Sequence, residues 1–261
     1  YVGQVPSRCV STPATGCLDQ SQLHRVPWQG YPFIMCNLYG STKEAAIHKY
    51  WRPTNAMPSQ WDGGLVAPRK PGAFIRRARD DIGYGRELVV GRWGLIPWFS
   101  KTPEVKYATN NARSEELADK ASFKLPWARG QRCIIPADWF DEPNWESGKN
   151  VWWRFRRADG EPWGLAGIWS TWNDPASGVV HESYTMLTIN ADDHPLMRRM
   201  HKPDPKLGPA EQDKRSVIAI EQADVDQWLA GTQEEAGQLL KLAPVEMFQA
   251  GASTAAEPTL F

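Results

Sequence analysis

Val151-Trp152-Trp153-Arg154-Phe155-Arg156-Arg157 is the stretch that decides the fold class. Val151, Trp153 and Phe155 alternate with Trp152, Arg154 and Arg156, the period-two pattern of a strand with one apolar face and one aromatic-basic face. Comparable short runs lie on both sides, at residues 73–77, 88–94, 133–135, 139–142, 163–169, 184–189 and 216–220, punctuated by Gly, Pro, Asp and Asn. Together they predict a β-rich chain of the α+β class, a single domain whose sheet is curved and barrel-like. Short flanking helices are expected at 42–50, capped by Thr42 with Ala46, Ile47 and Tyr50 on one face, and at 114–120 and 223–229. Another is expected at 195–200, behind Asp192 or Asp193 as cap.

Composition narrows the function classes. The 261 residues balance 30 Lys and Arg against 30 Asp and Glu, which argues against a protein that coats nucleic acid by overall charge. The charge is unevenly placed, however: residues 35–210 carry 25 basic and 20 acidic side chains, an excess suited to a polyanion groove, whereas residues 211–261 are acidic and read as a solvated helical flank. Mean hydropathy is −0.52 and no apolar run approaches the length of a membrane span. Thirteen of the 14 Trp lie between Trp51 and Trp228, so some indoles are expected on the surface. Cys9, Cys17, Cys36 and Cys133 form no CxxC pair, which supports neither a zinc site nor a disulfide framework and makes a reducing cytoplasm the expected location. No metal and no cofactor are expected.

The first 34 residues lack strand or helix periodicity and a signal-peptide pattern. They read as an extension or a misplaced start. Met35-Cys36-Asn37-Leu38-Tyr39 then offers an internal initiator, and loss of Met35 would leave Cys36 with a free α-amine beside its thiol. A 1,2-aminothiol of this kind attacks an aldehyde through nitrogen and closes through sulfur to a thiazolidine. The alternative is a buried cysteine in a first strand.

Four further segments follow in order: Arg92-Trp93-Gly94-Leu95-Ile96-Pro97-Trp98, Asn111-Ala112-Arg113-Ser114-Glu115, Cys133-Ile134-Ile135-Pro136-Ala137-Asp138 leading to Phe140-Asp141-Glu142, and Pro195-Leu196-Met197 leading to His201. With the Met-Cys start, this set resembles the SRAP family of SOS response-associated peptidases, or abasic-site processing proteins, from Cys36 to about Ile220. The resemblance implies one SRAP domain, taken as residues 36–248 with a tail at 249–261, that binds single-stranded DNA and crosslinks to abasic sites as a monomer. It also implies roles for particular residues. Cys36 is the nucleophile, Asn111 holds the amine or the sugar, and Glu142 and His201 move protons for sugar opening and water loss.

Arg113 would pair with a phosphate, and Trp93, Pro68 and Thr188 match positions that line the DNA cleft. The Trp152, Arg154 and Arg156 face suits base stacking and phosphate pairing; an ordinary solvent face is the alternative. The chain departs from the family pattern at Leu38, where many relatives have Arg, at Pro143, where Trp is common, and at Lys202-Pro203-Asp204, where many continue with x-Arg-Met-Pro. Two other readings compete: a thiol peptidase in which His201 activates Cys36 and cuts at Met35–Cys36, and a Trp-rich module binding glycans or RNA without chemistry.

Overall fold

The computed structural model describes residues 37–54, 61–79, 84–208 and 211–253, all within one compact unit, Pro32–Thr254. The runs expected separately at 133–135 and 139–142 form one thirteen-residue strand, β6 (Arg132–Asn144). Pro136-Ala137-Asp138 reads as a turn in sequence, yet the strand passes through it. Pro136 needs no donor where it lies, and the partner β1 (Leu38–Ser41) shifts register there, pairing Gly40 with Trp139 but Ser41 with Ala137. The skipped Asp138 accepts a hydrogen bond from the Thr42 hydroxyl (2.8 Å). Thr42 is thereby withdrawn from the expected cap of α1 (Glu44–Trp51), whose N-cap is Lys43.

The N-terminal half of β6 closes a five-strand barrel with β3 (Pro71–Arg77), β4 (Arg86–Trp93), β9 (Val180–Asn190) and β8 (Trp163–Asn173). Neighbours are antiparallel around the ring except β4 and β9, which run parallel at Arg92↔Ser183 and Trp93↔Tyr184. Closure removes sheet edges. Beyond the short parallel contact, β5 (Asn111–Arg113) takes the place of β4 beside β9, and β10 (Arg215–Val217) pairs with the opposite edge of β9, so that Thr188 lies between Arg113 and Val217. The C-terminal half of β6 leaves the barrel and becomes the centre of a second sheet, with β1 and then β2 (Gly64–Val66) on one side and β7 (Val151–Arg157) and then β11 (Phe248–Ala252) on the other. Residues 249–252, expected as tail, complete β11 because β7 otherwise offers an open edge.

Helices are few: α1, α2 (Lys124–Ala128), α3 (Val225–Ala230) and α4 (Gln233–Gly237). The helices expected at 114–120 and 195–200 contract to 3-10 turns over Ser114–Glu116 and Met197–Arg199. At the second, the cap is neither Asp192 nor Asp193: His194 Nδ1 accepts from the N–H groups of Leu196 (3.2 Å) and Met197 (3.0 Å). Asp192 instead accepts from the N–H of Lys214 (2.8 Å).

Aromatic bulk fills the interior. Trp51, Trp93, Trp163 and Trp228 are fully buried, and buried indole N–H groups need acceptors. Trp93 donates to the carbonyl of Asn110 (2.7 Å) and Trp228 to that of Cys133 (2.9 Å). Tyr39 and Tyr184 share a short hydroxyl hydrogen bond across the interior. Gly72 lies directly beneath it: a Cβ there would sit 2.0 Å from the Tyr184 hydroxyl, so only glycine admits the pair. Burial pushes the Cys133 thiol well up, which leaves it inert as a nucleophile.

One buried charge anchors the barrel. Arg76, 2% exposed, donates to Glu87 and, through both terminal nitrogens, to Glu182 (2.8 and 3.2 Å), and its guanidinium lies 4.1 Å from the Trp169 ring centre. Replacing Arg76 by Met leaves two partly buried carboxylates without the cation between them. The variant is expected to lose about 3 kcal/mol of unfolding free energy. Urea unfolding measures this, and a loss below about 1 kcal/mol would show that Arg79, which also reaches Glu182 (3.1 Å), compensates.

Candidate active site

Glu142 stands near the C-terminal end of β6, opposite Trp153 of β7 and next to Asp141, the partner of Leu38 at the start of β1. It is 1% exposed. His201 arrives from the loop after the Met197–Arg199 turn, and its Nε2 lies 2.9 Å from Glu142 Oε2. With Glu142 ionised, the imidazole Nε2–H donates to the carboxylate. Contacts with β6 fix this loop: His201 N–H donates to the Pro143 carbonyl (2.6 Å) beside the bridge that pairs Met200 with Asn144, and the Asn144 side-chain amide donates to the Arg199 carbonyl (3.2 Å). His201 has φ 62°, a left-handed conformation that non-glycine residues adopt only when surroundings enforce it.

Lys214 supplies a further restraint. Its ammonium donates to the carbonyls of Met200 and His201, each at 2.8 Å. Desolvation pushes its pKa down, with the nearby Asp192 carboxylate opposing. Beside His201 opens a cavity of about 660 Å³, walled by Trp145, Arg198, Arg199 and Lys214 among others. A buried carboxylate hydrogen-bonded to an imidazole at the rim of such a space is equipped to take a proton from one substrate atom and return it to another.

Asn111 opens β5 beside Met186, and the preceding Asn110 carbonyl receives the Trp93 indole N–H. Trp93 in turn meets Tyr39 of β1 edge-on, ring centres 5.1 Å apart. Asn110, the neighbour of Asn111, is therefore joined to β1 through two contacts, while Glu142 and His201 touch directly. Met35 and Cys36 lie outside the described residues.

The residues expected at the DNA are dispersed in role. Arg113 is half-exposed and pairs with Asp213 and Glu116. Trp93 and Thr188 are buried, Thr188 donating to the Ala112 carbonyl (3.4 Å), and Pro68 is half-buried in the turn between β2 and β3. On β7, Arg156 is exposed and Trp152 half-buried. Arg154 is held: Nε and Nη2 donate to both oxygens of Asp141 at 2.9 Å, and its guanidinium lies 3.5 Å from the Trp139 ring centre. Trp139 itself lies over Gly40, where a Cβ would come within 2.3 Å of the indole. The period-two patterns of β6 and β7 give each strand its two faces, but the partnership of Arg154 with Asp141 and Trp139 depends on the Asp141↔Arg154 register, which those patterns do not set. Lys214 and Asn144 act through main-chain carbonyls and leave no such pattern.

The family model described as SOS response associated peptidase (SRAP) matches residues 35–255. The chain belongs to this family. Similar relatives include the abasic site processing protein YoqW of Bacillus subtilis, 33% identical over 124 residues that cover 47% of this chain and 54% of YoqW. The abasic site processing protein HMCES of Gallus gallus is 28% identical over 166 residues, 55% of this chain and 47% of that protein. The chain thus aligns with about half the length of each. A crystal structure of a Bordetella bronchiseptica protein superposes with a TM-score of 0.71 at 38% identity, covering 84% of this chain and all of that one. A Bacteroides thetaiotaomicron structure shares the fold, with a TM-score of 0.66 at 22% identity.

Proposed function

We propose that this protein processes abasic sites in single-stranded DNA by forming a covalent adduct through Cys36. The observation that carries the reading is the Glu142–His201 hydrogen bond at the end of β6, one residue from the Asp141 that pairs with Leu38. Cys36 precedes Leu38 by two residues, and two residues of chain reach at most about 7 Å. The names of the relatives, abasic site processing proteins, support the same substrate.

In this reading Cys36 is the first residue of the active chain, consistent with a family match that opens at Met35. Its α-amine adds to the C1 aldehyde of the opened sugar to give a carbinolamine. Protonation of the hydroxyl by the Glu142–His201 pair expels water and forms the iminium. The thiol loses its proton to the same pair, and sulfur adds to the iminium carbon, closing the thiazolidine with net loss of one water. Asn111 holds the amine or the sugar by hydrogen bonds, and Arg113 and Arg156 meet phosphates. The protein works as a monomer in the cytoplasm.

A second reading is favoured by the same pair. Glu142 orients His201 as the acid of a nucleophilic triad would, so a thiol at position 36 could cut the Met35–Cys36 bond and release its own amine. Intact-mass analysis before and after incubation with a single-stranded oligonucleotide carrying one abasic site tests both. The expected adduct is a chain starting at Cys36 plus the DNA minus one water. An adduct on a chain that retains residues 1–35, or no adduct, overturns the thiazolidine reading.

A further inference from the structure

One histidine stands on either side of the Met197–Arg199 turn. His201 meets Glu142, whereas His194 has no place in the reaction described above. His194 is 5% exposed, and both of its ring nitrogens are in use. Nδ1 lies 3.2 Å from the main-chain nitrogen of Leu196 and 3.0 Å from that of Met197, so it must present its lone pair to these N–H groups. Nε2 lies 3.0 Å from the Ala243 carbonyl oxygen and therefore carries the proton. Only the neutral imidazole protonated at Nε2 satisfies all three partners. The carboxylates of the adjoining segments do not oppose this, since Asp192 accepts from the N–H of Lys214 (2.8 Å) and Asp193 and Glu246 are exposed. With both nitrogens engaged, the ring is closed to proton transfer, which leaves that work to Glu142 and His201.

His194 moors the turn at its start, as β6 and Lys214 moor it at its end. Its carbonyl accepts from the N–H of Arg198 (3.1 Å), and its own N–H donates to the Ala191 carbonyl (3.1 Å). The ring rests edge-on against Phe248 of β11, ring centres 5.6 Å apart, so one side chain ties the turn to the C-terminal segment. Met197 and Met200 are fully buried. A main-chain N–H without an acceptor in such surroundings is costly, so loss of the Nδ1 acceptor shifts the turn, and His201 moves with it.

We propose that His194 is a positioning residue whose neutral imidazole caps the Met197–Arg199 turn and thereby aims His201 at Glu142. The kinetic consequence rests on the abasic-site reading. The geometric consequence does not.

The test uses the full chain and two substitutions. Asparagine offers an acceptor oxygen in place of Nδ1 and is a preferred cap residue, whereas alanine offers none. His194→Ala is expected to slow adduct formation on abasic single-stranded DNA at least about tenfold, since a misplacement of about 1 Å costs about a hundredfold. Affinity for undamaged single-stranded DNA is expected to stay unchanged. His194→Asn is expected to keep the rate within about threefold of the parent. In a His201→Ala background the two substitutions are expected to give equal rates, because the imidazole through which they act is missing. Long-range proton–nitrogen spectra read the geometry without DNA. The parent is expected to show His194 as the neutral Nε2–H tautomer at neutral pH, and the His201 ring signals to shift in the alanine variant and return in the asparagine variant. An alanine variant with parental rate and parental His201 signals, an asparagine variant as slow as the alanine one, or a parent ring protonated at Nδ1 overturns the proposal. The last result decides the matter even where the alanine variant does not fold. Protein that forms no adduct at all removes the abasic-site reading, and the spectra alone then decide the role of His194.

Discussion

Cys36→Ser protein is expected to yield no adduct that survives denaturation, a fall of at least about a thousandfold in stable crosslink. The serine amine still condenses with the aldehyde, so an imine still forms. A hydroxyl, however, is almost fully protonated at neutral pH and a far weaker nucleophile than a thiol, so the ring does not close and the imine hydrolyses. Borohydride therefore rescues a crosslink in the variant by reducing the imine in place. The comparison on denaturing gels, with and without reductant, separates amine from thiol chemistry. A heat-stable adduct from the serine variant without borohydride would remove sulfur from the linkage and with it the thiazolidine.

Glu142→Gln is expected to slow crosslinking by about a hundredfold or more, the range that positioned proton transfer contributes. The substitution keeps the shape and a hydrogen-bonding group toward His201, whose Nε2 lies 2.9 Å from the carboxylate. What it removes is the capacity to take up and return a proton, which in the proposed reaction expels water from the carbinolamine. Single-turnover kinetics on abasic single-stranded DNA measures the rate, and undamaged-DNA affinity is the control that a merely structural change would move. A rate within threefold of the parent would transfer the proton work to His201 or to solvent.

How far the sequence speaks can be judged strand by strand. Val151–Arg157 is β7 to the residue, because its alternation is uninterrupted. The eight expected strands are all found, two of them fused into β6 because a proline that reads as a break lies where a bulge tolerates it. Strand β1 entered only as the alternative reading of the Cys36 stretch, and β2, β5 and β11 were not expected: all four are three to five residues long, too short for a periodic signal, and owe their form to long-range partners. The site shows the same division. Glu142 and His201, 59 residues apart, carry no local sign of their contact, and only the ordered motifs singled them out. The aromatic-basic face of β7 was legible as a face, but not that Asp141 occupies Arg154. Trp93 was read as a cleft position and is wholly enclosed, because its indole N–H finds an acceptor inside.

The left-handed backbone at His201 has one more consequence. Four hydrogen bonds converge on this turn, and each uses a main-chain group of Arg199, Met200, His201 or Pro143 on at least one side. The aim of the imidazole is thus written into the path of the chain and not into the side chains that follow it. The side chains of Lys202-Pro203-Asp204 take no part in these bonds and can change while the ring stays where it is. Residues 202–204 can accordingly change without moving the Glu142–His201 pair behind them.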